Sequence, residues 1–206
     1  MPMNGAVEGS VSSKLTSKPK ANFVGIDLSL TSTGLVFLTG DGMVDSFNIK
    51  TKPKNGSVTH RIAYIRDQIM NKFDTFSMVE DKPKFVAIEG YAMGIRGGRS
   101  FTIGELGGVV KEHFRQRGID VYIVPPNNLK KFISGKGTGD KDMVRLELYK
   151  KYGLELPTND EVDAAVLALM AHSYHCDQSC NMFDMPSYQR DSLAKCEYLN
   201  FQRTRT

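Results

Sequence analysis

Two stretches decide the fold: NFVGIDLSLTSTG at residues 22–34 and FVAIEGY at residues 85–91. Each is a short apolar run that ends in a carboxylate, Asp27 in the first and Glu89 in the second. A short apolar run of this kind reads as a buried strand. In open α/β sheets, sites form at the carboxyl ends of strands. A carboxylate that closes a buried run also needs a partner, because desolvating an unpaired charge is costly. A bound cation, a salt bridge and a helix cap would each serve.

Outward from these runs, GLVFLTG at 34–40 and MVDSFNI at 43–49 are two further strand candidates. Gly40-Asp41-Gly42 between them predicts a tight antiparallel turn. Val58, Ile62, Ile65, Ile69 and Phe73 fall at helical spacing, with Ser57 as N-cap. Ile103, Leu106, Val110 and Phe114 mark the next helix, stopped at Gly118. DVYIVPP at 120–126 is the fifth strand, halted by two prolines. Residues 127–139 are basic and glycine-containing and predict a mobile loop. Residues 141–152 read as a helix. Another helix runs from Asp160 to Tyr174, capped by Asn159, with Val162, Val166, Leu169 and Ser173 on one face. The order implies an α/β fold: a mixed sheet of five strands with helices on both faces. Residues 1–21 read as a disordered basic tail, 22–175 as the one folded domain, and 176–206 as a polar, weakly patterned C-terminal extension.

The chain has 206 residues, which suits one domain with a sizeable core, and a net charge of +4. A mild excess of positive charge is compatible with a nucleic-acid partner without requiring one. Runs such as AAVLALMA are too short to span a bilayer, and the N-terminus has no secretory pattern. Three cysteines argue against a disulfide framework and for a reducing compartment, the cytoplasm. His172, His175, Cys176 and Cys180 form a loose cluster. No second C-x-x-C or H-x-x-x-H pair supports zinc, so an ordinary helix end is the preferred reading.

Asp160 and Asp163 lie three apart at a helix start and therefore share a face. Acidic residues are common there because the helix dipole favours them. Asp163, however, leads into the apolar stretch AAVLALMA, which places it at the edge of the core. Four convergent carboxylates without Cys or His suit a hard cation, Mg²⁺ or Mn²⁺. Two such ions about 4 Å apart activate a water and stabilise the leaving oxygen of a phosphodiester displacement. Basic residues lie nearby in sequence: Arg96 and Arg99 in GIRGGRS, and Lys130, Lys131, Lys136 and Lys141 in LKKFISGKGTGDK. They read as phosphate contacts or as a solvated charged surface. Lys141 stands out because it begins a helix directed at the site, where it would neutralise charge on a scissile phosphate.

At these residues the sequence resembles the RuvC family of Holliday-junction resolvases, in the ribonuclease H-like superfamily. FVGIDLSLTSTGL resembles the family's first strand, with Asp27 in the place of its first catalytic carboxylate. FVAIEGY resembles the second motif, with Glu89, and NDEVDAAVLALMAH the closing motif, with Asp160 and Asp163. NNLKKFISGKGTGDKDMV resembles the basic loop and helix start, with Lys130 and Lys141 at the positions of functional lysines. The resemblance covers roughly residues 22–175. It implies a ribonuclease H-like fold, a homodimer, and paired nicks across a four-way junction. The helix around Leu106 to Phe114 is the expected dimer interface. Leu28-Ser29 replaces the usual Pro-Gly after the first aspartate, a change associated with bacteriophage-type members. Where bacterial members carry an aromatic wedge, this chain has Ala92, with Tyr91 as the nearest ring able to stack on a base. That departure implies relaxed substrate choice. The alternatives are a ribonuclease H-like nuclease acting on RNA–DNA hybrids or flaps, and a non-catalytic module that binds branched DNA. An actin-like ATPase shares the Gly-Ile-Asp hairpin but needs two such domains.

Overall fold

Alternation along the strands sorts one sheet into two faces, and this parity carries the site. The computed structural model describes residues 22–39, 42, 44–79, 83, 85–90, 98–179 and 185–201. Six strands form among them: β1 (Phe23–Asp27), β2 (Ser32–Leu38), β3 (Val44–Lys50), β4 (Phe85–Glu89), β5 (Asp120–Val124) and β6 (Glu197–Leu199). Their order across the sheet is β3-β2-β1-β4-β5-β6. β1, β4 and β5 run parallel, while β2, β3 and β6 are antiparallel to their neighbours. The helices are α1 (Val58–Val79), α2 (Gly98–Gln116), α3 (Asn128–Ser134), α4 (Lys141–Tyr152), α5 (Asn159–Ser179) and α6 (Ser187–Leu193).

On one face, Val24, Ile26, Phe37, Val86 and Ile88 pack against Ile65, Ile69 and Phe73 of α1 and Leu106, Val110 and Phe114 of α2. On the other, Phe23, Val36, Phe85 and Ala87 pack against α5, with α3 and α4 joining the same core. By period two, Gly25, Asp27, Ala87 and Glu89 all belong to this second face. The residues of α5 from Ala164 to Ala171 are each at most 2% exposed. An α-helix apolar on all sides must be buried on all sides, so the buried surface of α5 is wider than the one face read from Val162, Val166, Leu169 and Ser173.

α5 lies unusually close to the sheet. A Cβ on Gly25 would stand 1.9 Å from the Ala164 carbonyl oxygen and 2.4 Å from the Ala168 nitrogen. A Cβ on Gly34 would stand 2.0 Å from the Asp160 carbonyl oxygen. Gly34 is the register partner of Asp27 on the neighbouring strand. Only glycine permits this approach of helix backbone to strand backbone.

Four expectations need correction. The sheet has six strands, not five, because part of the C-terminal extension folds back. There β6 pairs with β5, the Tyr198 hydroxyl donates to Asp120 Oδ2 at 2.5 Å, and the Phe201 amide donates to Asp120 Oδ1 at 2.9 Å. Those polar anchors have no periodicity to read. Within the predicted loop 127–139 lies α3, whose Leu129, Phe132 and Ile133 are buried at helical spacing. The α5 cap is Thr158, not Asn159: its hydroxyl accepts from the Glu161 amide at 3.2 Å and donates to Glu161 Oε2 at 2.6 Å. Finally, α5 continues to Ser179. His172 and His175 in its last turns lie against the rings of Phe23 and Phe85. The Cys176 side chain and Cys180 lie outside the described residues, as do residues 1–21.

The close approach gives a direct test. Gly25→Ala forces α5 off the sheet, and the overpacking should destabilise the chain by about 3 kcal/mol or more. Gly118→Ala, at an exposed turn, should cost less even though its φ of 65° is strained. Thermal unfolding compares them, and an unchanged melting temperature for Gly25→Ala would contradict the packing.

Candidate active site

Register alone brings the first two carboxylates together. β1 and β4 are paired in parallel as far as Ile26 with Ile88, so Asp27 and Glu89 follow side by side at the strand ends. Neighbouring strands lie about 4.8 Å apart. The first turn of α5 crosses above Gly34, and this adds Asp160 and Asp163. All four carboxylates are only partly buried.

Their electrostatics shows one cluster. Burial, followed by the charges of Asp163, Glu89 and Asp160, pushes Asp27 up from its ordinary 3.8 to about 8, against an opposing pull from Lys141. Burial and then Asp163 also raise Glu89, while Lys130 lowers it. Asp163 is raised by burial first, and Lys141 and Lys130 oppose the rise. So the structure brings Asp27, Glu89, Asp160, Asp163, Lys141 and Lys130 within mutual electrostatic reach.

The other predicted contacts stand elsewhere. Lys131 pairs with Asp191 at 3.5 Å, on the side facing α6. Lys136 is exposed on the turn after α3. Arg99 belongs to the first turn of α2, with its side chain outside the described residues, where Tyr91, Ala92 and Arg96 also lie.

Sequence reasoning missed a polar network that orients Asp160. The Ser32 hydroxyl lies 2.5 Å from Asp160 Oδ2 and 2.9 Å from Asn48 Oδ1, and its single proton serves one of them at a time. Asn48 Nδ2 donates to Thr158 Oγ1 at 2.8 Å and reaches Asp160 Oδ2 at 3.4 Å. Behind it, the buried Glu161 accepts from Ser46 at 2.9 Å. These contacts engage one oxygen of Asp160, Oδ2. The Thr-x-x-Glu spacing at the start of α5 was readable in advance. Ser32 and Asn48 were not, because only the β2–β3 register carries them across to α5. The turn after Asp27 is held separately: the buried Arg61 donates to the Leu30 carbonyl at 2.8 Å and to Thr51 Oγ1 at 2.9 Å.

The donor set suits a hard divalent cation. It is all oxygen, and its charges are unfavourable as they stand, which a cation would reverse. Among the described residues no three acidic, His or Cys groups converge into a ready cage. Both observations hold together, since Coulomb forces reach well beyond a coordination bond of about 2.0–2.1 Å, and Mg²⁺ keeps waters and shares substrate phosphate rather than filling an all-protein cage.

The chain is similar to proteins of known family. Residues 23–172 match the family model described as Crossover junction endodeoxyribonuclease RuvC. A protein of that name from Mycobacterium bovis (strain BCG / Pasteur 1173P2) is 29% identical over 160 residues, covering 74% of this chain and 80% of the relative. Another from Rickettsia bellii (strain RML369-C) is 27% identical over 151 residues, covering 70% of this chain and 92% of the relative. The Thermus thermophilus RuvC structure superposes with a TM-score of 0.60 at 24% identity, over 77% of this chain and 96% of that one. The same protein in complex with a Holliday junction substrate gives a TM-score of 0.64 at 22% identity, with the same coverage.

The raised carboxyl predicts a pH signature. Between its ordinary 3.8 and about 8, folded Asp27 holds a proton that the unfolded chain has released, so its contribution falls as pH rises through that window. His172 has the opposite sign: burial and then His175 lower it from 6.5 to about 4, so its contribution grows with pH across that span. Above about pH 6.5 the His172 contribution is complete, and the fall from Asp27 continues. Metal-free protein should therefore lose thermal stability between pH 6.5 and 8. Mg²⁺ should restore it, and Asp27→Asn should remove much of the loss, at about 2–4 °C per kcal/mol. A loss of the same size in Asp27→Asn would contradict the assignment.

Proposed function

The chain belongs to the RuvC family of crossover junction endodeoxyribonucleases, and we propose that it resolves four-way junctions and other branched DNA by metal-dependent phosphodiester hydrolysis. The observation that carries the reading is the convergence of Asp27, Glu89, Asp160 and Asp163 at one end of the sheet, with Lys141 and Lys130 opposing their charge. Those four carboxylates are the residues that would hold Mg²⁺ or Mn²⁺, two ions per site. When bound, the ions supply Lewis acidity and a more acidic water. Ser32 and Asn48 hold Asp160 through Oδ2, which fixes the carboxylate in advance of any ligand. Lys141, at the N-terminus of α4, sets a positive charge where negative charge develops on the scissile phosphate. Lys130, Lys131, Lys136, Arg96, Arg99 and Tyr91 are proposed as DNA contacts, giving affinity through phosphates and base stacking.

No helix among the described residues is long and apolar enough to cross a membrane. DNA as substrate places the work in the cytoplasm, the host's if the gene is phage-borne. Ala92 at the position of the bacterial wedge supports tolerance for three-way and flap-like branches. The Thermus thermophilus protein has been solved in complex with a Holliday junction substrate, which favours a four-way junction here too.

We propose a homodimer, since a junction presents two symmetric strands and a two-fold dimer sets one site on each. The expected interface helix, around Leu106 to Phe114, is α2. Its Leu106, Val110 and Phe114 are each 0% exposed and belong to the core, which leaves its other face for a partner. The outward face of α2 carries Phe101, 77% exposed, with Glu105 and Gly108. That face fits the role better.

Asp27→Asn and Glu89→Gln should each abolish nicking while binding persists, measured on labelled four-way, three-way, flap and duplex DNA. Full cleavage in EDTA would contradict the metal reading, and cutting of RNA–DNA hybrid alone would favour the alternative nuclease. Lys141→Ala should slow the cut at saturating enzyme, raising the barrier by about 2–4 kcal/mol. Loss of affinity alone, with a salt slope shallower by about one, would make it a mere phosphate contact. Phe101→Glu should shift sedimentation from dimer to monomer, and an unaltered dimer would point to another face.

A further inference from the structure

α3 is a seven-residue helix, far below the length at which a helix is stable alone. Its order must come from its neighbours, and α6 supplies much of it. The buried Gln189 side chain donates from Nε2 to the Phe132 carbonyl at 3.2 Å. Phe132 sits in the last turn of α3, where carbonyls have no partner within the helix. The next carbonyl, Ile133, accepts from Lys151 Nζ, which also reaches the Tyr188 hydroxyl of α6 at 3.3 Å. At the other end of α3, the buried Asn128 donates from Nδ2 to the Ser192 carbonyl at 3.0 Å. A Cβ at Gly135, the left-handed cap of α3, would lie 3.7 Å from the Tyr188 ring.

From its opposite side α3 reaches the site. Lys130 Nζ donates to the Gly139 carbonyl at 2.8 Å, two residues before Lys141. Among the described residues, Lys130 and Lys141 are cations that act on the carboxylate cluster. The family match ends at residue 172, so α6 lies beyond the part that the family model covers.

We infer that α6 is a positioning clamp: it fixes α3, and through Lys130 and Gly139 it sets the placement of Lys130 and Lys141 against the carboxylates. The inference rests on the nuclease reading above for its effect on rate, but its effect on α3 stands independently. A purely space-filling α6 would contribute stability and nothing specific to the site. The clamp instead predicts that loss of one buried amide, with volume retained, changes the chemistry without changing the grip on DNA.

The test is Gln189→Leu beside Tyr198→Phe, which breaks the remote anchor to Asp120 in the same C-terminal segment. Three quantities are read in the full chain: single-turnover cleavage of a four-way junction at saturating enzyme with Mg²⁺, junction Kd, and amide exchange over residues 129–134. Gln189→Leu should slow cleavage by about 10-fold or more, because small misplacements of a catalytic group are costly. Its Kd should stay within about 3-fold, since few phosphate contacts change, and its α3 amides should exchange faster. Tyr198→Phe should lower the melting temperature while rate and α3 exchange stay as in the wild type. Wild-type rate and α3 exchange in Gln189→Leu would overturn the clamp. So would equal slowing in both variants. If the wild type cuts no branch, the nuclease reading fails, and the exchange comparison alone decides whether α6 orders α3.

Discussion

The contact of α5 with the bare backbone at Gly25 and Gly34 is the constraint on which the rest depends. Side chains normally hold a helix some 10 Å from a sheet, the spacing of stacked layers. Here two glycines remove that spacer on adjacent strands, and the helix settles onto β1 and β2. Asp160 lies directly at the Gly34 contact, and Gly34 pairs with Asp27. Close packing and carboxylate convergence are therefore one geometric fact. The alanines at 164 and 168 on the helix complete the fit from the other side.

The same closeness creates an electrostatic problem that the protein solves only in part. At the edge of the core, burial and the neighbouring acids raise Asp27, Glu89 and Asp163, and Asp27 rises to about 8. Lys141 and Lys130 offset some of this. On the proposed reading the remaining negative charge would draw a divalent cation, and metal affinity should grow as protons leave. A site that is unfavourable alone and favourable when loaded fits the general trade between stability and function.

Much of this was legible in the sequence, and the losses have physical causes. Asp27 and Glu89 were readable because a charge closing an apolar run violates burial rules. Asp160 and Asp163 were readable from their spacing. Lys141 was singled out as a helix start near the site, and its charge does act on Asp27 and Asp163. The glycines were invisible as packing residues, since nothing local separates Gly25 from a turn glycine. Ser32 and Asn48 became neighbours of Asp160 only through strand register. α3 was hidden because its lysines and flanking glycines suggested a loop, although Leu129, Phe132 and Ile133 had helical spacing. α6 and β6 escaped because their anchors are long-range polar contacts: Gln189 to Phe132, and Tyr198 to Asp120.

The central claim is that these four carboxylates together hold divalent cations beside DNA. Anomalous scattering from Mn²⁺ in crystals of the protein with a four-way junction tests it most directly. The account predicts manganese peaks between Asp27, Glu89, Asp160 and Asp163, reduced or absent in Asp27→Asn. Manganese bound only at other acidic residues, in crystals whose protein cuts the junction, would contradict it.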